Sequence, residues 1–276
     1  MGTGVIAVIW VGVLLTLLAV GGIIYWLVIV SEGAYLSDKI VGALYEGNAA
    51  KYDAIKGVLA YEDGTHLARP LLAALNRAAT LHPGQMHHGG EYRSRSTESA
   101  DSPRLKDGEA CPLVLDVATG TGRLPAALLR QLDFHGYIVG LDASPRMLAA
   151  ARSKIQAHSH KVAWIRKDAM TLPFRDTSFD AVTCVEALEL LPDPGGALKE
   201  MIRVLRPGGQ LLLSNRVGVD ALFLPGRAFR PPVLEKKLKA LGLTDVRTRR
   251  WQSHYDLIDA RKPSLNIGGT YGAASS

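Results

Sequence analysis

The stretch LVLDVATGTGRLPAALL, residues 113–129, decides the fold of this chain. Apolar residues lead to Asp116, a Gly-x-Gly turn follows, and an Ala- and Leu-rich helical pattern begins near Gly122. Glycines in a strand-to-helix turn let the backbone approach a ligand closely, and the helix start presents free N–H groups. The pattern therefore predicts a ligand-binding turn, although an ordinary tight turn has the same spacing.

Strand and helix patterns alternate from residue 111 onward. The later strand patterns are GYIVGLDA, KVAWIRKDA, FDAVTCVEA, GQLLLSNR, TDVRTRRWQ and HYDLIDARK. Continuous apolar strands of this kind are buried on both faces, as in a parallel sheet covered by helices. A short turn joins the last two strands, which requires antiparallel pairing. We expect a doubly wound, Rossmann-like α/β domain over residues 111–262, with a mostly parallel sheet of seven strands and an antiparallel last strand.

Acidic residues close the first three predicted strands. Asp116, Asp142 and Asp168 stand at these strand ends. An acid after the second strand accepts hydrogen bonds from ribose hydroxyls, and Asp168 is placed to accept from an adenine amino group. One aspartate after a strand is a common turn residue. Three of them, which we expect to lie in register, converge on one crevice and indicate a nucleoside-containing ligand.

A nicotinamide dinucleotide is the first alternative ligand. Its fingerprint is Gly-x-Gly-x-x-Gly, and here the third glycine position is Pro125. The glycine that allows close helix–strand packing is therefore expected to be missing.

Four stretches resemble, in order and spacing, the motifs of class I S-adenosylmethionine-dependent methyltransferases, in particular the ubiquinone- and menaquinone-biosynthesis branch. They are DVATGTG, GLDASPRMLAAAR, KDAMTLPFRDTSFDAV and EMIRVLRPGGQLLL, within residues 111 to 261. The segment AAKYDAIK, residues 49–56, is similar to the Tyr-Asp segment that precedes this fold in many relatives. The resemblance implies methyl transfer from S-adenosylmethionine.

The resemblance also implies a cofactor site. The loop after the first strand would surround the methionine part, Asp142 would hold the ribose, and Tyr52 would close the pocket. Residues after the fourth strand would face the methyl-transfer site. The implied cofactor-binding residues are Asp116, Ala118, Gly120, Gly122, Asp142, Met147, Asp168, Ala169 and Val185.

The catalytic residue stays unknown from the sequence. A carbon or oxygen acceptor needs a general base in some reactions, and the candidates are Glu186, Glu189 and His254. Each has a simpler role as well: Glu186 would cap its loop or touch cofactor, and the other two would face solvent. Residues 217–232, VGVDALFLPGRAFRPP, lie beside the acceptor site in the resembling fold. Their apolar character favours a lipophilic acceptor, although a membrane-facing or core-packing loop has the same pattern.

The amino-terminal residues predict a membrane anchor over residues 1–35. Residues 5–30 carry no charge, and roughly 20 apolar residues span the hydrocarbon core. The run is too long for a signal peptide and lacks the basic residues that precede one. Lys39 follows the run and no Lys or Arg precedes it, which favours a single-pass protein with a cytoplasmic catalytic domain.

The intervening residues differ in composition. Residues 36–82 predict a helical cap, with Thr65 as the N-cap of its last helix. Residues 83–110 predict a flexible linker, and residues 263–276 a disordered tail. The loop histidines have no ligand spacing, so no metal site is predicted.

Charge and cysteines add little about partners. The net charge of +6 fits nucleic acid, an anionic membrane or an acidic substrate, but no aromatic–basic motif supports nucleic acid, so none is expected. The sheet order of the resembling family puts Cys111 and Cys184 at opposite ends of neighbouring strands, so we predict no disulfide between them. The sequence does not predict the oligomeric state.

Three functions follow from these patterns. The first is methyl transfer to a small, lipophilic acceptor at the membrane, such as a quinone precursor or a lipid. The second is a catalytically silent, membrane-anchored module that binds a cofactor or a partner. The third is a Rossmann-type enzyme that uses a nicotinamide cofactor.

Overall fold

The computed structural model describes residues 3–30, 60–81 and 111–264. The predicted linker, the Tyr-Asp segment with Tyr52 and nearly all of the predicted tail lie outside these residues. The strands are β1 (Leu113–Val117), β2 (Tyr137–Asp142), β3 (Val162–Arg166), β4 (Phe179–Cys184), β5 (Leu205–Arg216), β6 (Thr244–Arg250) and β7 (Tyr255–Arg261). The helices are α1 (Thr3–Tyr25), α2 (Ala60–Asp63), α3 (Arg69–Leu81), α4 (Arg123–Leu129), α5 (Pro145–Lys154), α6 (Pro194–Val204), α7 (Val219–Leu222) and α8 (Pro231–Ala240).

The strands form one sheet in the order β3-β2-β1-β4-β5-β7-β6. The pairs from β3 through β5 are parallel, and β7 runs antiparallel to both β5 and β6. The predicted seven-stranded sheet with an antiparallel last strand is therefore confirmed. The strand order reverses between β1 and β4, and in such sheets ligands bind at the carboxyl ends of the strands beside this point.

Both faces of the sheet are covered, which explains the continuous apolar strands. On β1, Leu113 and Leu115 pack into one buried cluster, which also contains residues of α6 and α8. Val114 points the other way, into a second cluster with residues of α3 and α4. Side chains alternate across a strand, so a strand buried on both faces shows no polar alternation.

Residues 60–81 pack against the second face of the sheet. Leu71 and Leu75 are fully buried there. The predicted helix start at Thr65 is wrong: the chain is already helical from Ala60, and the Thr65 hydroxyl donates to the carbonyl of Tyr61. A wider π-helical turn, Gly64–Ala68, connects α2 to α3.

The amino-terminal helix α1 continues as a π-helical turn over Trp26–Val30. Residues 8–28, which run from α1 into this turn, are long and apolar enough to cross a membrane. Among the described residues, no other helix passes this test. None of that span is buried against the rest of the protein. This is a candidate membrane span by length and composition.

Candidate functional site

The loop after β1 has the geometry that a close ligand requires. Ala118, Gly120 and Gly122 all have positive φ angles, of 53°, 53° and 75°. A side chain added at Gly120 would meet no atom within 4 Å, so this backbone faces open space. Ala118 holds a conformation that costs a non-glycine residue roughly 1–2 kcal/mol. Functional loops commonly store such strain.

Two glycines other than the absent third glycine of the dinucleotide fingerprint allow close packing near this loop. A Cβ at Gly122 would lie 3.0 Å from the ring of Trp164 and 3.0 Å from the Cβ of Ala151. A Cβ at Gly140 would lie 2.5 Å from the same ring. The indole of Trp164 therefore fills the space that these glycines leave, so the packing here is close although the third fingerprint position is Pro125.

Asp142 fixes the loop from the end of β2. Its Oδ2 accepts from the backbone N–H of Gly120 at 2.8 Å, and its Oδ1 accepts from the N–H of Ser144 at 2.8 Å. Burial raises the pKa of Asp142, while these backbone hydrogen bonds oppose that rise. A carboxylate has about four lone-pair sites, so both oxygens retain capacity for ribose hydroxyls. Ser144 also caps α5 by accepting from the N–H of Met147.

Asp116 lies beneath the loop rather than on its surface. Its two oxygens accept from the hydroxyls of Thr119 at 2.6 Å and Thr183 at 2.7 Å. Burial raises its pKa from 3.8 to about 6, against the effect of these hydrogen bonds. Asp116 therefore joins the carboxyl ends of β1 and β4 and supports the loop from below.

The three strand-end aspartates were expected to lie in register. The structure shows instead that they are staggered. Asp116 is paired with Gly140, two residues before Asp142. Asp142 is paired with Arg166, two residues before Asp168. Each acid therefore lies two residues farther along its strand direction than the preceding one. The stagger suits an extended ligand that runs across the strand ends.

The remaining predicted cofactor residues surround this edge. Met147 is buried in α5, and Ala169 is buried in the core just after β3. Asp168 is exposed, and its Oδ1 accepts from the N–H of Met170 at 2.9 Å. Val185 is half-buried directly after β4. These positions are compatible with the predicted roles, which stay predictions.

Arg123 connects three segments at this edge and was missed by the sequence reasoning. Its Nε and Nη2 donate to the carboxylate of Asp63 at 2.7–2.9 Å, and its Nη1 donates to Glu186 at 2.5 Å. The guanidinium also lies 4.8 Å from the ring centroid of Trp251. Burial lowers the pKa of Arg123, but the bonds and charges of Asp63 and Glu186 outweigh it and raise the pKa.

The candidate general bases occupy three different environments. Glu186 has a positive φ of 52°, accepts from Arg123, and donates its N–H to the Ser214 hydroxyl at 2.5 Å. Glu189 is buried, contrary to the expectation that it faces solvent, and accepts from the Tyr255 hydroxyl at 2.5 Å. His254 is exposed just before β7. Glu186 is thus occupied by an ion pair, and Glu189 belongs to a buried Tyr–Glu pair.

Residues 217–232 are attached to the carboxyl edge by backbone carbonyls. The Asn215 amide donates to the carbonyl of Phe229 at 2.8 Å. The Arg227 guanidinium donates to the carbonyl of Leu191. The Lys237 ammonium lies 5.5 Å from the ring centroid of Phe229. The loop is therefore held beside the open strand ends, where the resemblance expects an acceptor.

Among the described residues, the cysteines and the residue types that bind metals form no second site. Cys111 precedes β1, Cys184 ends the neighbouring β4, and the two thiols form no disulfide. Among the residues that the structure describes, no group of three or more His, Cys, Asp or Glu side chains is placed to hold a metal ion.

Comparison with protein families identifies this region. Residues 115–213 match the family model described as "Methyltransferase domain". The match confirms, for these residues, the resemblance to methyltransferases that the motifs predicted.

Curated relatives match about a third of this chain. A demethylmenaquinone methyltransferase of Thermus thermophilus is 44% identical over 100 residues, which is 36% of this chain and 45% of that protein. One from Listeria welshimeri is 44% identical over 99 residues, which is 36% of this chain and 42% of that protein. The chain thus spans less than half the length of these relatives.

Part of this chain is similar to the solved structure of a putative methyltransferase from Bacillus halodurans. It is 24% identical, with a TM-score of 0.48, and the comparison covers 56% of this chain and 94% of that one.

Proposed function

We propose that this chain is an S-adenosylmethionine-dependent methyltransferase that acts on a small, lipophilic acceptor at a membrane, such as a quinone precursor or a lipid. The observation that carries the proposal is the open, positive-φ loop at Gly120, held by Asp142 inside the region that matches a methyltransferase domain. The relatives named demethylmenaquinone methyltransferases support a quinone-type acceptor.

The residues present fit this cofactor. The side-chain-free face of Gly120 leaves room for a ligand against the backbone, and Asp142 offers ribose acceptors beside it. S-adenosylmethionine, when bound, supplies a methyl group on a sulfonium, which is transferred by in-line displacement. The protein then needs to orient the acceptor and exclude water, which are positioning tasks.

The chain's own groups account for that positioning. The Arg123 ion pairs fix the loop after β4 against the loop after β1. The buried hydrogen bond between Tyr255 and Glu189 supports the acceptor side. We assign no catalytic base, because Glu186 is already bound by a guanidinium.

Binding measurements test the cofactor assignment. Calorimetric titration of S-adenosylmethionine into the detergent-solubilised chain is expected to give binding, and titration of NADH is expected to give none. Asp142→Ala should weaken S-adenosylmethionine binding roughly 10- to 100-fold, since a charged acceptor contributes about 1.5–3 kcal/mol. The matched control is Asp133→Ala, which removes an exposed aspartate before β2, at the opposite edge of the sheet.

The same titration separates the alternatives. Preferential binding of NADH would favour a nicotinamide enzyme. Binding of S-adenosylmethionine without transfer of a labelled methyl group to quinone-like or lipid acceptors would favour a silent binding module. Absence of any binding by well-folded protein would refute the cofactor site.

The proposed location rests on α1 and on charge. The span of residues 8–28 would anchor the protein. Lys39 follows this span and no Lys or Arg precedes it, which favours a cytoplasmic catalytic domain. Anchoring raises the effective concentration of the site toward a membrane-dissolved acceptor. A membrane-impermeant thiol reagent should label Cys111 only after cells are permeabilised. Labelling of intact cells would reverse the orientation.

A further inference from the structure

Large exposed apolar side chains are concentrated on one part of the described domain. Outside α1, the structure describes six such side chains, and four of them lie within residues 219–233. Val219, Leu222 and Phe223 are 68%, 77% and 46% exposed, and Val233 is 53% exposed. Isolated exposed apolar residues are ordinary, but a local group of them marks an interaction surface.

The geometry of α7 makes three of them one surface. Val219 and Leu222 lie one turn apart on α7 and Phe223 follows it directly, so the i, i+3 and i+4 spacing brings the three side chains toward one side. Leu224, the next residue, is fully buried and anchors the turn to the domain. The exposed side chains are therefore held outward by a fixed base. We call Val219, Leu222, Phe223 and Val233 the apolar tip.

Exposed basic residues occur in the same stretch of the chain as the apolar tip. Arg230 and Lys236 are exposed, at the start and in the middle of α8. The single acid of α8, Glu235, is turned toward the sheet, where it accepts from the Thr248 hydroxyl at 2.5 Å. Residues 217–241 contain five basic and two acidic residues. Charge complementarity thus favours an anionic partner.

The apolar tip begins at the same edge of the sheet as the proposed cofactor site. α7 follows the carboxyl end of β5, at the same edge as Gly120 and Asp142. The partner of this surface therefore faces the mouth of the proposed acceptor site.

We propose that the apolar tip and its flanking basic residues dock the domain onto an anionic lipid bilayer, so that the acceptor site opens toward the lipid. The proposal rests on the membrane location given under the proposed function. Apolar side chains enter the head-group boundary while basic residues contact anionic lipid, as in interfacial segments. Each basic residue near such a surface strengthens docking about fivefold. An acidic protein would use the charges but would not require lipid.

The test uses the full chain in lipid nanodiscs. In a Cys111→Ser background, Leu222→Cys is labelled with an environment-sensitive fluorophore; Cys184 is fully buried. The control is Leu132→Cys, whose leucine is 98% exposed before β2, at the opposite edge of the sheet. Discs contain phosphatidylcholine alone or with phosphatidylglycerol, with and without a lipid-attached quencher.

The docking proposal expects a blue-shifted, lipid-quenched probe at position 222 in phosphatidylglycerol discs and a water-exposed probe at position 132. Arg230→Gln should lower the ratio of docked to undocked protein about fivefold, and Arg130→Gln, on the other edge, should leave it unchanged. Equal exposure of the two probes would overturn docking while leaving methyl transfer untouched. Equal quenching in neutral discs would overturn the role of charge. Failure of the chain to enter discs would instead overturn the anchor of the proposed function.

Discussion

Replacing Arg123 by methionine should destabilise the domain strongly. The Arg123 side chain is only 11% exposed, and those of its partners Asp63 and Glu186 are 3% and 7% exposed. The variant would leave two buried carboxylates without their cation. Methionine keeps an unbranched apolar stem that can still pack against Trp251. The measured loss of stability therefore reports the missing positive charge and not missing packing.

The magnitude follows from the burial of the pair. Removing one partner of a buried ion pair costs about 3–5 kcal/mol. With a slope of about 2 kcal/mol per molar urea, the unfolding midpoint should fall by roughly 1.5–2.5 M. The double variant Arg123→Met with Asp63→Asn should recover part of this loss, because one stranded carboxylate is removed.

Urea unfolding of the detergent-solubilised chain, followed by circular dichroism, measures this difference. The matched control is Arg249→Met, which breaks the ion pair to Asp259 between side chains that are 29% and 34% exposed. Such pairs contribute about 0–1 kcal/mol. The reasoning is refuted if Arg123→Met and Arg249→Met lower the midpoint equally, or if the double variant is no more stable than Arg123→Met.

Four further variants probe the site. The pKa of Asp116 is raised from 3.8 to about 6 in the native state. Between these two pH values the native state therefore holds a proton that the unfolded chain has released. The free energy of unfolding should fall by roughly 3 kcal/mol as the pH rises from about 4 to above 6. Asp116→Asn should remove that fall in urea titrations at several pH values; an unchanged pH profile would contradict it. Gly122→Ala should lower the urea midpoint more than Gly120→Ala, since only the former creates contacts near 3.0 Å, whereas Gly120→Ala should mainly weaken S-adenosylmethionine binding. Tyr255→Phe should cost about 1–3 kcal/mol by removing the donor to buried Glu189, and a neutral effect would rule out that hydrogen bond.

The sheet and its ligand edge were predictable because their signals are local. Strand patterns buried on both faces, separated by helical patterns, gave the mostly parallel sheet, and the short turn before β7 gave its antiparallel direction. The turn at Gly120 and the acid at Asp142 were also readable, because strand, turn and helix follow one another within a single unit. Helix starts were less readable: a π-helical turn lies where Thr65 suggested an N-cap.

The register of the acids was not predictable from strand ends. Asp116, Asp142 and Asp168 each terminate a strand pattern, but the stagger of parallel pairing decides how deep each one lies. That stagger depends on packing between strands, as in the fit of Trp164 against Gly122 and Gly140. The hydrophobic pattern fixes the register where only one face of a sheet is buried, but these strands are buried on both faces, so their pattern leaves the offset open.

The ion pairs of Arg123 show the same limit more sharply. Its carboxylate partners lie 60 and 63 residues away along the chain, on opposite sides of it. Only the folded sheet brings α2 and the loop after β4 together at the start of α4. A buried ion pair gives little stability over an apolar contact of the same shape, but a bidentate guanidinium accepts only a narrow geometry. Arg123 therefore holds α2 and the loop after β4 in defined positions at the start of α4, and sequence spacing alone could not reveal these contacts.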